Sequence, residues 1–414
     1  MSPSEPRQFR LGSSAIMCQR DSYRFILAGV AVSLITACGS KAPEPDATSI
    51  IETGPPQSEI GLQDVVSRTR VNHDLIALGA VVASKDGVVD LAVDGLRAKG
   101  ASNPVRVEDK WHIGSNTKAL TALLYARLVE EGLTDWGATM PDLFPELSDE
   151  MDPAWRTTTI EDLFAHRSGF KQMGGFWLNA RRNDERPVSA QRAEAARNVL
   201  TQPPSKTQGA FDYNNLNYIV AGAAIGSILS SQDGLPNTWE AAMQVLIFDR
   251  LEDESARTGF GYGPPPEGLE GHRNTFGVFV SSAGRGATAD NPEVLGPAGT
   301  LHASLEAHAN LALEFLKDDS ALVPVSVREK LFQPYPEETS GYAMGWGVYD
   351  DPKYGRLYLH SGSNTLWLSR ITIAPALDRV VIVNANQFSD AAQTAIESVS
   401  AQLLDEALLE SSPQ

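Results

Sequence analysis

Cysteine is scarce in this chain: Cys18 and Cys38 are the only two among 414 residues, and both lie near the start. No disulfide can staple the long remainder of the chain, so the fold must stand on its hydrophobic core. Several chemical signatures are missing as well. There is no H-E-x-x-H, no Walker loop, no G-x-S-x-G elbow and no dinucleotide-binding fingerprint. His73, His112, His166, His272, His302 and His308 show no metal-ligand spacing. Neither a metal nor an organic cofactor is expected. Positive charge is also in deficit, with 34 Lys+Arg against 52 Asp+Glu and a formal net charge of -18. Such a surface repels nucleic acid and anionic head groups, and neither is expected as a partner.

Long apolar runs are absent too. The nearest approach is "FILAGVAVSLITA", residues 25 to 37, roughly a dozen residues and too short to span a bilayer. It follows Arg20 and Arg24 and leads into Cys38, Gly39 and Ser40. This pattern resembles a bacterial lipoprotein signal. It implies that residues 1–37 are a signal peptide and that Cys38 is lipidated and tethers the protein to a bacterial membrane. Gly39 after the cysteine favours the periplasmic face of the outer membrane. An ordinary secretory signal or a short anchor helix is the alternative. Residues 38–58, rich in proline and polar side chains, read as a flexible tether.

From 59 to 410 the pattern is that of a folded domain. Leu62, Val65, Val66 and Val71 recur with helical spacing and fall near one face, the expected buried one. "GAVVASKDGVVDLAVDG" reads as a hairpin turning at Asp86-Gly87. The middle, about 115 to 330, is mostly helical, with a long Gly/Pro-rich ordered loop from Gly259 to Gly299. "RLYLH", "LWLSRITIA" and "RVVIVNAN" read as strands, and "DAAQTAIESVSAQLLDEALL" as an amphipathic helix. Strands at both ends and helices between predict an α+β fold. One antiparallel sheet would join about 59–110 to 335–410, flanked by helices and carrying the helical region as an insertion.

Two serine–lysine pairs carry S-x-x-K spacing. Ser168 is followed by Gly169, a helix stop, so Lys171 is not held one turn away. Ser115 instead opens "SNTKALTALLYARLVEEG", an uninterrupted helical run. Residues i and i+3 share a face, which lets the Lys118 amine approach the Ser115 hydroxyl. The helix N-terminus adds free N–H groups and a positive dipole end. As a base, Lys118 must fall from a pKa of about 10.4 by roughly three units, which burial and cationic neighbours can supply. A helix cap beside a solvated lysine is the other reading. Tyr213 and Asn215 stand just before a second apolar helix, and His360-Ser361-Gly362 closes a strand. There the Ser363 N–H could join that of Ser115 as an oxyanion donor. His166 reads as a structural brace beside the cleft, and Ser304 as a helix cap.

Taken in order, Ser115-x-x-Lys118, Tyr213-x-Asn215 and the triplet ending in Gly362 resemble the serine hydrolases related to class C β-lactamases. That group includes penicillin-binding DD-peptidases and esterases. "TIEDLFAHRSGF", "GPAGTLHASLEAH" and "YAMGWGV" fit the same resemblance. It implies a β-lactamase/transpeptidase-like fold and an acyl-enzyme on Ser115, acting on a small-molecule or peptide substrate with a carbonyl. Lys118 and Tyr213 would move the proton, and Asn215 would bind Lys118 and the substrate. The N–H groups of Ser115 and Ser363 would hold the oxyanion. Where class C β-lactamases carry Lys-Thr-Gly, this chain has His360-Ser361-Gly362, which by the resemblance places His360 and Gly362 at the substrate and argues against efficient β-lactam hydrolysis. Phe176, Trp177, Trp346 and Trp367 would suit a partly apolar substrate if they reach the cleft, leaning the reading toward an ester or small amide. The alternative is a catalytically silent module that binds peptidoglycan or peptide.

Overall fold

The computed structural model describes residues 61–411 except 233, 267, 276 and 277. Cys18, Cys38, the leader and the whole of the tether lie outside the described residues. The strands in chain order are β1 (Ala77–Ser84), β2 (Gly87–Gly95), β3 (Trp111–His112) and β4 (Phe260–Tyr262). Then come β5 (His272–Thr275), β6 (Val278–Ser281), β7 (Leu301–Ala303) and β8 (Gly347–Asp351). The last four are β9 (Gly355–Ser363), β10 (Leu368–Ala374), β11 (Arg379–Ala385) and β12 (Gln387–Phe388). The main sheet runs β2-β1-β11-β10-β9-β8 and is antiparallel throughout. The two ends of the domain meet where β1 pairs with β11, Val81 opposite Ile382. The fold is therefore the α+β architecture expected.

Strict alternation decides the layers. In β11, Val380 and Ile382 face the helical insertion, while Val381 and Val383 face two terminal helices, Leu62–Asn72 and Asp390–Ser411. Both faces are covered, which is why the central strands read as continuous apolar runs. The first helix buries Leu62, Val65 and Val66 but leaves Val71 62% exposed. Nine residues at 100° each put Val71 on the side opposite Leu62, so its expected place on the buried face was mistaken.

The Gly259–Gly299 stretch is also more ordered than a loop. It holds β4, β5 and β6, which join two small sheets ordered β12-β5-β6 and β3-β7-β4. These strands span three or four residues between glycines and prolines, too short for period-two alternation to show. The second small sheet matters most for function. β7 pairs with β3, His112 opposite His302, and so holds the chain just ahead of Ser115.

Candidate active site

Ser115 does not begin the α-helix itself. It sits in a 3₁₀ turn, Gly114–Asn116, that feeds a helix over Thr117–Glu130. Gly114 starts this turn at φ +52°, a conformation glycine adopts without penalty. The turn is pinned from within, Thr117 Oγ1 donating to Gly114 O at 2.7 Å, and from the sheet, Asn116 Nδ2 donating to Ser369 Oγ at 2.8 Å. The helix then runs through the core of the helical region, with every residue from Thr117 to Ala126 buried.

Lys118, on the first turn, is fully buried. Its Nζ donates to Ser115 Oγ at 3.0 Å and to the Ala298 carbonyl at 2.5 Å. The rings of Tyr213 and Tyr218 stand 5.0 and 5.4 Å from the amine. Burial pushes Lys118 well below the usual lysine range, and burial alone does so; the cationic neighbours expected from the sequence are not needed.

Tyr213 faces the same hydroxyl, and its ring stands against the Lys118 amine. Burial raises its pKa while Ser115 opposes the rise, so the phenol keeps its proton near neutrality. Tyr213 is held by His166, whose ring lies 4.3 Å away and whose Nδ1 accepts from the Asn214 N–H and from Asn217 Nδ2, both at 3.1 Å. His166 itself sits at φ +60°.

The end of β9 packs against the Ser115 turn with no room for a side chain. A Cβ on Gly362 would lie 2.0 Å from Ile113 O and 2.7 Å from the Ser115 nitrogen; one on Gly114 would lie 2.2 Å from the Ser363 nitrogen. The N–H groups of Ser115 and Ser363 therefore lie on two touching backbones, as a two-donor oxyanion site requires.

A family model described as beta-lactamase matches residues 62–404. The chain belongs to the beta-lactamase family. Penicillin-binding protein 4 of Amycolatopsis lactamdurans is 23% identical over 330 residues, 74% of this chain and 80% of that protein. Esterase EstB of Burkholderia gladioli is 31% identical over 111 residues, 25% of this chain and 26% of that protein. A D-amino acid amidase from Ochrobactrum anthropi superposes with a TM-score of 0.63 at 17% identity, covering 84% of this chain and 97% of that one.

Several expected roles are not those this family member displays. Asn215 opens the helix Asn215–Ser230, but its Oδ1 is buried without a hydrogen-bond partner, and Lys118 bonds Ala298 O instead. The 296–299 turn brings a carbonyl within reach of the amine, so the amide is not needed to hold it. His360 was expected to face substrate. It is 3% exposed, with Nδ1 2.9 Å from Ser361 O and Nε2 3.0 Å from the Tyr342 hydroxyl. Bonding a carbonyl requires a proton on Nδ1, leaving Nε2 to accept from Tyr342. Burial, then the nearby Lys118, pushes His360 down to about 3, so it stays neutral. The imidazole is a brace with both nitrogens already engaged. Trp346 and Trp367 are core residues, the first against Phe315 and Phe332, the second stacked on His112. Phe176 is 91% exposed and Trp177 packs on Arg181. The apolar pocket imagined from these four aromatics is not formed.

The second S-x-x-K pair is inert by contrast. Gly169 takes φ +84°, Ser168 Oγ donates to Asn217 Oδ1 at 2.5 Å, and Lys171 is exposed. Sequence reasoning missed Ala298, Tyr218 and Tyr342 as partners. The segments "GPAGTLHASLEAH" and "YAMGWGV" flagged two of them without a role.

Gly362→Ala should cost about 100-fold or more in acylation of Ser115, because the β9 edge must retreat from the Ser115 turn and one oxyanion donor goes with it. Stopped-flow labelling with a fluorophosphonate, beside a thermal melt showing a folded protein, reads this directly.

Proposed function

We propose that this protein is a serine hydrolase that cleaves esters or small amides through an acyl-enzyme on Ser115. The observation that carries the reading is the sealed Lys118 amine 3.0 Å from the Ser115 hydroxyl, with the Tyr213 ring 5.0 Å from the same amine. A lysine that only capped or solvated a helix would gain nothing from being buried there.

Ser115 Oγ attacks the substrate carbonyl as its proton passes to Lys118 Nζ. The resulting oxyanion is held by the Ser115 and Ser363 N–H groups. As the tetrahedral intermediate collapses, the bond to the leaving group breaks and Tyr213 supplies its proton. The Tyr213 phenolate then takes a proton from water, whose hydroxide attacks the acyl carbon. Ser115 leaves as an alcohol with the proton stored on Lys118, and the site is restored. The lowered Lys118 and the raised Tyr213 support lysine as the acceptor in acylation and tyrosine as the donor.

The neutral, internally bonded His360 supports substrates without a carboxylate beside the scissile carbonyl. In class C β-lactamases the Lys-Thr-Gly lysine supplies a permanent charge at this place. Esterase EstB and the D-amino acid amidase among the similar proteins favour the same substrate range. β-Lactam turnover would be weak.

We also propose that Cys38 is lipidated and holds the enzyme to a bacterial membrane, facing the extracytoplasmic side, from the Arg20–Ser40 pattern. Cys38→Ser should then move the protein from the membrane fraction to the soluble fraction and remove the lipid mass from its N-terminal peptide. Membrane retention of an unlipidated Cys38→Ser protein would refute the anchor.

Fluorophosphonate should label the parent, and Ser115→Ala should abolish the label together with p-nitrophenyl ester hydrolysis. Below the lowered Lys118 pKa the base is protonated and kcat/KM should fall; it should rise with pH as that proton leaves, well before about pH 10.4. Persistent labelling in Ser115→Ala, or a parent silent toward esters, D-amino acid amides and nitrocefin alike, would favour the silent binding module.

A further inference from the structure

Behind the two oxyanion donors lies a buried polar chain that takes no part in the proton transfers. His112, fully buried at the end of β3, accepts the Gly114 N–H on Nδ1 at 3.1 Å. An acceptor there places the ring proton on Nε2, which lies in close contact, 2.8 Å, with Asp290 Oδ1, although the approach is too bent for a hydrogen bond. The same carboxylate oxygen accepts from Asn364 Nδ2 at 2.8 Å and from the Asn291 N–H at 2.6 Å. Asn364, next to Ser363, turns its Oδ1 back onto the N–H groups of Leu366 and Trp367 at 3.2 and 3.3 Å. Trp367 closes the path by stacking on His112, ring centroids 5.7 Å apart. Asp290 is 4% and Asn364 5% exposed, so water does not compete for these bonds.

One carboxylate oxygen thus joins two backbones distant in sequence. Through His112 it reaches Gly114, the residue before Ser115. Through Asn364 it reaches the residue after Ser363. We propose that Asp290, with His112 and Asn364, is a positioning unit that fixes the spacing of the Ser115 and Ser363 N–H groups. The inference rests on the acyl-transfer reading of the site. Asp290 touches no substrate: it acts through two backbones. A buried carboxylate is costly to desolvate and is tolerated where it makes several charge-assisted bonds. Here the Asn364 bond and the His112 contact reach the two segments that carry the oxyanion donors.

The test compares Asp290→Ala, Asp290→Asn and Asn364→Ala with the parent. Asp290→Asn keeps an acceptor oxygen for His112 and Asn364 and should stay within about threefold of parental kcat. Asp290→Ala should lose about 100-fold in kcat with KM little changed, since donor placement matters in the transition state and misplacement by an ångström is this costly. A phenylboronic acid, which places an oxygen in the oxyanion site, should lose affinity in step with kcat/KM. Hydrogen exchange read by mass spectrometry should speed up in peptides 111–118 and 359–366 together, and not in the 120–130 helix. That readout needs no turnover, so it stands even if the hydrolase reading fails. If Asp290→Ala does not fold, Asn364→Ala cuts one arm and should show the same pattern more weakly. Unchanged boronate affinity in the folded variants, or exchange loosened only around residue 290, would overturn the proposal. So would an Asp290→Asn enzyme as impaired as Asp290→Ala.

Discussion

An amine shut away from water beside a hydroxyl is the constraint on which this site depends. Lys118 has no exposed surface, and its two acceptors are a serine oxygen and a peptide carbonyl, neither of them charged. Keeping an ammonium there without a counter-ion is expensive. Burial disfavours the charged form, and that is what lowers the Lys118 pKa. The two phenol rings at 5.0 and 5.4 Å recover part of that by facing a cation with their π-electrons. The balance leaves a lysine that is ready to accept a proton and able to hold one transiently, which is what a base that returns its proton must do.

The rest of the fold exists, in functional terms, to bring three pieces of chain to that amine. The Thr117–Glu130 helix supplies the serine and lysine, the loop before the Asn215–Ser230 helix supplies the phenol, and the end of β9 supplies the second N–H. Two glycines with no space for a Cβ, at 114 and 362, allow the last contact. Rigid packing on both faces of the sheet makes the placement reproducible, because β9 is locked to β10 and β10 to β11 deep in the core. Buried imidazoles serve as props around the site: His166 beside Tyr213, His360 beneath Tyr342, His112 beneath Gly114.

How much of this could be read from the sequence depends on the range of the interactions. Ser115 and Lys118 lie one helical turn apart, so local periodicity placed them correctly. That both chain ends contribute to one sheet was legible, because strand-like runs with a hairpin or turn beside them recur at each end; that β1 would pair with β11 was not. Long-range hydrogen bonds were not legible. Nothing local says that Lys118 will meet Ala298 rather than Asn215, or that Asp290 will meet both His112 and Asn364. His360 was misjudged for the same reason: a strand pattern shows which residues alternate inward, not that Tyr342 waits there to occupy the ring. Trp346 and Trp367 fell to the commoner fate of large aromatics, burial in a core.

The protonation of Lys118 is the quantity to measure. A ¹³Cε NMR titration, with the Lys118 signal assigned by its loss in Lys118→Met, should show a midpoint well below about 10.4 while the other lysines titrate near that value. A Lys118 resonance that stays in the ammonium form up to pH 10 would contradict the account, however close the amine lies to the serine.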